Sequence, residues 1–169
     1  MQNVSFSSGA KSSVFAIKSD IIKSDMVDGI KLSDECLVLE DELLQMRLVS
    51  SYDNQLMYYI YEKGKDDRVG YCDLRIGHSA YLYYYGNIGY RIRQQYQGNC
   101  YAYRAVRMLL EVAKKLNMDY LIITVSPENV ASIKTIEKVG ADYIKTVKVP
   151  IWHPLYHSER VKRIYRLDL

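Results

Sequence analysis

The sequence of 169 residues has no long apolar stretch. No hydrophobic run approaches the ~20 residues that an α-helix needs to cross a bilayer. The N-terminus also lacks the basic start and apolar core that together mark a signal peptide. These absences argue against a helical membrane protein and against secretion, so we expect no membrane partner and a cytoplasmic location.

Cysteine, histidine and clustered positive charge are also scarce. The scattered Cys36, Cys72 and Cys100 fit neither a disulfide framework nor a zinc site. His153 and His157 occupy a Pro-containing loop rather than a predicted helix, so they lack the geometry of a zinc-binding helix and we predict no metal. The formal net charge is only +3, without a block of Lys and Arg, and we expect no nucleic-acid partner.

The remaining composition is that of an ordinary globular chain, with 49% hydrophobic and 25% charged residues. Residues 1–13 are rich in Ser, Gly and Asn and are predicted to be flexible. We interpret residues 14–169 as a single domain. Seventeen tyrosines stand against two phenylalanines, but tyrosine suits cores, interfaces and ligand sites alike.

Hydrophobic periodicity predicts a series of strands interrupted by two helices. The helices cover residues 100–116, with Asn99 as N-cap, and a segment from Asn129 that stops at Gly140. Residues 150–160 are predicted as a long loop. The predicted strands are residues 37–39 and 43–49 (two short strands or one bent strand), 56–62, 68–76, 81–85 (an edge or a short strand), 90–92, 120–125, 143–149 and 161–169.

This order of elements is typical of the α/β class. We expect a mixed, partly antiparallel central sheet of about six to seven strands with helices on both faces. Residues 56–62 and 68–76 read as an antiparallel hairpin. The two helices follow extended segments, so part of the sheet is expected to be parallel.

A glycine-bearing turn opens the first long helix, at Tyr96-Gln97-Gly98-Asn99-Cys100-Tyr101-Ala102. The unpaired N–H groups and the positive dipole end of such a helix start suit a phosphate. A Rossmann turn and a Walker loop are excluded, because neither Gly-x-Gly-x-x-Gly nor Gly-Lys-Ser/Thr is present. A second polar helix start at residues 129–132 completes a pattern that favours a long phosphorylated cofactor and therefore an enzyme.

Two segments resemble motifs of the GNAT superfamily of N-acetyltransferases. Residues 88–102 resemble its acetyl-CoA motif, Gln/Arg-x-x-Gly-x-Gly/Ala, in which Gln97 matches the first position and Ala102 the last, whereas Cys100 stands where glycine is usual. Residues 129–141 resemble the Asn-x-x-Ser…Glu-Lys-x-Gly-Phe segment common in the same superfamily. The resemblance covers about residues 68–145.

The resemblance implies acetyl-CoA as co-substrate and direct acetyl transfer to a primary amine of a small molecule or peptide. It also implies that glycines near residues 86–89 splay the fourth strand from the fifth to admit the cofactor. The implied cofactor-binding residues are Ile92, Arg93 and Gln94 along the pantetheine arm, Gln97, Gly98, Asn99, Cys100, Tyr101 and Ala102 around the pyrophosphate, and Asn129 with Ser132 near the pantetheine or the thioester.

Acetyl transfer to an amine needs a base, an oxyanion donor and an acid for the leaving thiolate. Residues 81–96 hold no Glu or Asp, so Asp73 is the nearest acidic candidate, with a solvent-facing strand residue as the alternative. Tyr85 and Tyr90 are candidates for the acid or a relay, and a water-mediated base is equally open. Arg75 either steers an anionic group of the acceptor, pairs with Asp73 or lies at the surface. Cys100 reads more readily as a small packed residue than as a nucleophile.

Two other classes of function stay open at this stage. The missing base and Cys100 also fit a non-catalytic module that binds or senses CoA. The tyrosines of residues 81–85 fit an interaction domain. Exposed strand edges and abundant tyrosine are compatible with a homodimer, and the loop at residues 150–160, with Trp152, either lines an acceptor pocket or packs at the surface.

Overall fold

The computed structural model describes residues 26–27 and 30–169, so the predicted flexible segment 1–13 lies outside the described residues. Most predicted elements are present with small shifts of their ends. The helices are α1 (Ala80–Tyr85), α2 (Tyr101–Lys115) and α3 (Val130–Lys138). The strands are β1 (Met26–Val27), β2 (Ile30–Lys31), β3 (Val38–Glu40), β4 (Leu44–Tyr52), β5 (Gln55–Glu62), β6 (Arg68–Arg75), β7 (Ile88–Ile92), β8 (Tyr120–Val125), β9 (Asp142–Lys148) and β10 (Val161–Asp168).

The main strands form two sheets rather than one. Five strands are ordered β3-β4-β5-β6-β7 and three are ordered β8-β10-β9, while β1 and β2 form a small separate ribbon. The α/β class and the predicted β5–β6 hairpin are confirmed. The expectation of a parallel portion is wrong, because every strand pair in the described residues is antiparallel. The strands that flank α2, β7 and β8, diverge instead of pairing.

Asn87 joins the two sheets at one end of this divergence. Its backbone N–H donates to Ile122 O (2.6 Å), and its Oδ1 accepts from the Ile122 N–H (2.8 Å). Its Nδ2 donates to Arg75 O (2.8 Å) and Gly77 O (2.9 Å). Asn87 is fully buried, and both N–H groups of its side-chain amide have a hydrogen-bond partner. These bonds hold the two sheets together at one end of the gap.

Residues 81–85 form a helix, so the predicted edge strand is wrong. The Ser79 hydroxyl caps the helix by accepting from the Leu82 N–H (3.0 Å), and Gly86 ends it with φ +84°. These capping residues outweigh the preference of consecutive tyrosines for strands. The Thr124 hydroxyl of β8 donates to the carbonyls of Tyr84 (3.1 Å) and Tyr85 (3.2 Å), which seats α1 on one face of the three-stranded sheet.

Helices cover both faces of this sheet, as predicted. Side chains alternate along β8, so Ile123 points away from the face that carries Thr124 and α1. Ile123 packs into the core shared with α2 and α3. The apolar stripe of α2 consists of Ala105, Val106, Leu109, Leu110, Val112 and Ala113, all buried. None of the helices described, residues 80–138 included, is long and apolar enough to cross a membrane.

Cys100, and not Asn99, precedes the first residue of α2. Cys100 has φ +59° and makes no side-chain cap, whereas the Asn99 amide donates backwards to Tyr96 O (3.2 Å). The predicted N-cap is therefore wrong, because the tight turn that begins at Gly98 (φ +87°) directs the Asn99 side chain away from the helix.

The loop after β9 is more ordered than predicted, because Pro154–His157 within it form a 3-10 turn. His153 is 1% exposed and anchors this loop to α1. Its Nδ1 accepts from the Leu155 N–H (3.2 Å), which leaves Nε2 to donate to Tyr81 O (3.1 Å). The rings of Tyr81 and Trp152 pack against the imidazole.

Candidate active site

Two cavities lie in the gap between β7 and β8 and share three residues. The larger, of about 500 Å³, is bounded by β7, the start of α2 and the start of α3. The smaller, of about 220 Å³, lies between β7 and β8 and reaches the 3-10 turn and β10. Tyr90, Asn129 and Ser132 line both, so a molecule in one cavity would meet a molecule in the other at these residues.

The larger cavity brings together most of the predicted cofactor-binding residues. Those that line it are Ile92, Gln97, Gly98, Cys100, Tyr101, Ala102, Asn129 and Ser132. Arg93 and Gln94 lie outside it and line an adjoining depression of about 580 Å³ with Arg68 and Arg91. Asn99 is exposed, and its side chain is turned to the Tyr96 carbonyl.

The backbone at the start of α2 has the properties of an anion site. The N–H groups of Gly98, Asn99 and Cys100 have no hydrogen-bond partner among residues 30–169. The first N–H groups of the 15-residue α2 are unpaired by helix geometry and lie at the positive end of its dipole. An added Cβ at Gly98 would meet nothing within 4 Å, so the turn leaves room for a bulky anion.

Two lysines of α3 add positive charge beside this turn, and the sequence analysis missed both. Lys134 lines the larger cavity. Lys138 Nζ lies 3.6 Å from Cys100 Sγ and 4.6 Å from the centre of the Tyr103 ring. Lys134 and Lys138 are four residues apart and therefore lie on one face of the helix. This spacing is the feature of the sequence from which the two lysines could have been predicted as neighbours. Together with the free N–H groups they make the cavity fit a diphosphate.

Asn129 has a structural task of its own. Its Oδ1 accepts from the Ser132 N–H (3.1 Å) and caps α3. This bond fixes the side chain at the junction of the two cavities. The predicted helix start at Asn129 is confirmed.

The smaller cavity contains two of the three predicted catalytic residues, Tyr85 and Tyr90. The third, Asp73, lies behind the wall. It is 3% exposed, pairs with Arg75 Nη2 (2.7 Å) and accepts from Gln55 Nε2 (3.0 Å). The alternative of a solvent-facing Asp73 is therefore wrong, and the pairing with Arg75, one of the three alternatives for that arginine, is present.

Gly89 makes room for this buried ion pair. A Cβ at Gly89 would lie 2.5 Å from Asp73 Oδ1 and 2.9 Å from Arg75 Nη2. Burial raises the pKa of the Asp73 carboxyl, and Arg75 and Gln55 only partly counteract burial. Because Gly89 has no side chain, the Asp73–Arg75 pair fits behind it and Arg75 forms part of the cavity wall.

Arg75 is held on three sides. In addition to Asp73, it donates from Nη1 to Gly86 O (3.0 Å), and its guanidinium lies 4.2 Å from the centre of the Tyr85 ring. Its side chain is 15% exposed and lines the smaller cavity. The strand β6, the helix α1 and the turn between α1 and β7 thus all fix one cation.

Glu159 and Lys162 complete the cavity on the opposite side, and the sequence analysis missed them as site residues. They form an ion pair in which the Lys162 side chain is 9% exposed and that of Glu159 is 34% exposed. Lys162 lies two residues before the buried Ile164 of β10, so it occupies an inward position of an alternating strand. A lysine at an inward position of a strand could have been noticed in the sequence. The position of Glu159 close to β8 could not, because it depends on the tertiary fold.

Tyr90 keeps its proton at neutral pH. Burial raises the pKa of its phenol, and its bonds to Ser132 and Thr135 only partly oppose this. The hydroxyl lies 3.4 Å from Ser132 O, at the junction of the cavities. A protonated phenol here can donate to a leaving group. No group of three or more His, Cys, Asp or Glu side chains in the described residues is placed to share a metal ion.

Comparison with known proteins agrees with this arrangement. The family model described as "Acetyltransferase (GNAT) domain" matches residues 37–142. An uncharacterized N-acetyltransferase, YnaD of Bacillus subtilis (strain 168), is 34% identical over 73 residues, which are 40% of this chain and 43% of the relative. The chain thus spans less than half the length of this curated relative.

Two solved structures share the fold. A GNAT-family acetyltransferase from Bacillus anthracis matches with a TM-score of 0.61 and 18% identity, over 78% of this chain and 98% of that one. The microcin C7 self-immunity acetyltransferase MccE, solved with acetyl-CoA and AMP, matches with a TM-score of 0.53 and 20% identity, over 69% of this chain and 62% of that one. Since the family match covers more than half of the sequence and the folds agree, this chain belongs to the GNAT acetyltransferase family.

Proposed function

We propose that this protein is an N-acetyltransferase that transfers an acetyl group directly from acetyl-CoA to a primary amine. The observation that carries the proposal is the meeting of two cavities at Tyr90, Asn129 and Ser132. One cavity offers a diphosphate cradle and the other offers ionisable side chains. A ternary complex needs both, and direct transfer needs them to be contiguous.

Acetyl-CoA is the proposed occupant of the larger cavity, and it would supply an activated acetyl group. The N–H groups of residues 98–102 would hold its pyrophosphate, with Lys134 and Lys138 nearby. The Gln97 N–H, which was also expected there, already donates to Gln94 O (3.2 Å). Ile92 would contact the pantetheine arm, while Arg93 and Gln94 lie in the adjoining depression. MccE, whose structure contains acetyl-CoA, has the same fold.

The residues of the smaller cavity have complementary tasks in this reaction. An amine enters as an ammonium, must lose a proton and then attacks the acetyl carbon as the C–S bond breaks. Glu159 is the carboxylate that lines the cavity, so it, or a water bound to it, is the proposed base. Tyr90 is the proposed donor of a proton to the departing sulfur. Asp73 is a positioning residue that acts through Arg75, and Tyr85 supports the same guanidinium.

A non-catalytic CoA-binding module was the second interpretation of the sequence. It rested on the missing acidic residue near β7 and on Cys100. Glu159 supplies an acidic group at the cavity from a distant part of the chain, which removes the first of these two grounds.

Calorimetric titration with acetyl-CoA tests the cofactor site. We expect micromolar binding by the wild-type protein and a loss of about 10- to 100-fold in Gly98→Asp, whose carboxylate would repel the pyrophosphate. Gly98→Asn is the matched control, because it has the same size and the same strain at φ +87° without the charge. Equal affinities of the two variants for acetyl-CoA would show that the pyrophosphate does not bind at this turn.

Release of free thiol from acetyl-CoA in the presence of an amine panel tests turnover. Tyr90→Phe should lower kcat about 100-fold or more if its phenol is the acid, with acetyl-CoA affinity unchanged. An unaltered kcat would assign the proton transfer to another group.

We also propose that the protein forms a homodimer through β9. This edge strand is exposed at six of its seven residues. The half-exposed Ile144 and Trp152 line one aromatic cavity of about 720 Å³ beside it. Asp142 and Lys148 lie at opposite ends of the strand, so antiparallel pairing with a second copy brings opposite charges together.

A further inference from the structure

We infer that the amine acceptor is a small zwitterion, an α-amino acid or a close analogue, whose carboxylate is bound by Arg75 and whose ammonium is bound by Glu159. This inference rests on the proposed function and names the substrate class of the same site. The observation behind it is the distribution of charge in the smaller cavity.

The charges that line this cavity do not balance. Arg75, Lys162 and Glu159 line it, which makes two cations and one anion. Asp73, the partner that neutralises Arg75, stands behind the guanidinium and does not line the cavity. A ligand therefore meets Arg75 from the front, and a carboxylate on that ligand fits the surplus positive charge.

Arg75 is prepared to bind a carboxylate. A guanidinium has five N–H donors, and Asp73 and Gly86 O engage two of its nitrogens, Nη2 and Nη1. Stacking on Tyr85 fixes its plane. The remaining donors are therefore held in one orientation before the ligand arrives, which lowers the entropic cost of binding.

Glu159 supplies the opposite charge on the other side of the cavity. Its side chain is one third exposed, whereas its partner Lys162 is almost fully buried in the wall. Loss of the negative charge would leave the Lys162 ammonium buried and unpaired. The Glu159 carboxylate, which lines the cavity, is the group that an incoming ammonium would contact.

The size of the cavity restricts the ligand further. Its volume of about 220 Å³ is below the roughly 300–1,000 Å³ of pockets for drug-sized ligands. The cavity opens on Tyr90, Asn129 and Ser132, where the acetyl group would be delivered. A free amino acid carries both an ammonium for Glu159 and a carboxylate for Arg75, whereas the α-carboxyl group of the first residue of a peptide is an uncharged amide.

Matched sets of three acceptors test the inference: a free amino acid, its amide and the amine that lacks the carboxyl group, with L-leucine, L-leucinamide and 3-methylbutylamine as one set and the phenylalanine equivalents as another. We expect kcat/KM for the free acid to exceed that for the amide at least about tenfold, because only the acid forms a charge-assisted contact with Arg75. Arg75→Lys should reduce this preference to less than about threefold, chiefly through KM.

Glu159→Gln provides a second variant with a separate readout. Because Glu159 is also the proposed base, this variant should lower kcat as well as raise KM for every amine. The affinity for acetyl-CoA should stay unchanged, and the preference for the acid over the amide should persist. The isosteric change of the exposed Glu128, Glu128→Gln, is the matched control.

Several outcomes would overturn the inference. A preference for the amides would indicate a peptide N-terminus as acceptor, and equal rates would show that no carboxylate is bound. Turnover of none of the free acids by protein that binds acetyl-CoA would exclude this substrate class. Failure to bind acetyl-CoA would instead refute the proposed function itself, so the two failures are distinguishable.

Discussion

Single residues determine the shape of the two cavities, and Gly89 is the clearest example. Gly89→Ala would push a methyl group against the Asp73–Arg75 pair. Because the pair is buried, it must separate or shift, and we expect a loss of about 3 kcal/mol in the free energy of unfolding. Urea denaturation measures this loss.

Gly64→Ala is the control for Gly89→Ala. Gly64 has φ +76° and open space around it, so this variant carries only the backbone strain of about 1 kcal/mol. Equal losses in the two variants would show that the ion pair is not compressed by residue 89.

Asp41 gives a prediction for the pH dependence of stability. Burial raises the pKa of Asp41, but Arg104 (2.7 Å) and the N–H groups of Leu44 and Leu43 outweigh it and hold the pKa below the ordinary value. A lowered folded pKa stabilises the protein above the unfolded pKa of about 3.9, and this contribution is lost as the pH falls through the folded pKa.

The variant Asp41→Asn should therefore lose less stability than the wild type when the pH falls from 5 to about 2.5. Urea midpoints measured across this range give the slope. Asp66→Asn, at a side chain that is 98% exposed, is the control. If the urea midpoint of Asp41→Asn changes with pH as steeply as that of the wild type, Asp41 does not contribute to acid unfolding.

The sequence revealed the cofactor residues better than the acceptor residues. Those around the turn are neighbours in the chain, and a local pattern was enough to find Gln97, Gly98 and Ala102. Glu159 and Lys162 reach the same gap only because β10 inserts beside β8, and such long-range pairing leaves little trace in local pattern. The left-handed backbone of Cys100 was also hidden, since this conformation is uncommon for a residue other than glycine.

Among the elements, α1 and the 3-10 turn are linked through His153. His153→Phe would preserve much of the ring volume but leave the Leu155 N–H and Tyr81 O without their partner. We expect a loss of about 2 kcal/mol in the free energy of unfolding, read from urea denaturation. The exposed His157 offers a control, since His157→Phe should change stability by less than about 0.5 kcal/mol. Comparable effects of the two substitutions would mean that His153 does not hold the loop.

The wrong prediction for residues 81–85 has a physical cause. Four of these five residues are tyrosines, which favour strands where an extended chain can pack them. The decisive signals were Ser79 before and Gly86 after the segment, a hydroxyl cap and a positive φ. By contrast, α2 was predictable because its apolar stripe and its buried face coincide.

At the scale of the whole molecule, the β9 edge tests the proposed homodimer. The chain of 169 residues and 19.7 kDa should sediment as a dimer at micromolar concentration. Ile144→Asp should shift it to the monomer, because a charge at this half-exposed position would be buried at the interface. Tyr52→Asp, at a side chain that is 80% exposed on another sheet, should leave the dimer intact. A wild-type protein that is monomeric at every concentration would refute the dimer.

The fold class followed from the order of strands and helices, whereas the division into two sheets did not. Each strand pattern reports burial of that strand and not the identity of its neighbour. The gap between β7 and β8 depends on Asn87. Its side-chain hydrogen bonds connect the two sheets at one end of the gap, where paired strands would have a continuous series of backbone hydrogen bonds.

The division between the sheets determines where the chain can be cut into two structural halves. Strands β3–β7 precede α2 and strands β8–β10 follow it, so between residues 38 and 168 the strands pass from one sheet to the other only once, near the exposed Asn117. A break there would yield two fragments that each carry a complete sheet and half of each cavity wall. Fragment complementation would then depend on the ligand that spans the gap, and reassembly itself would report its presence.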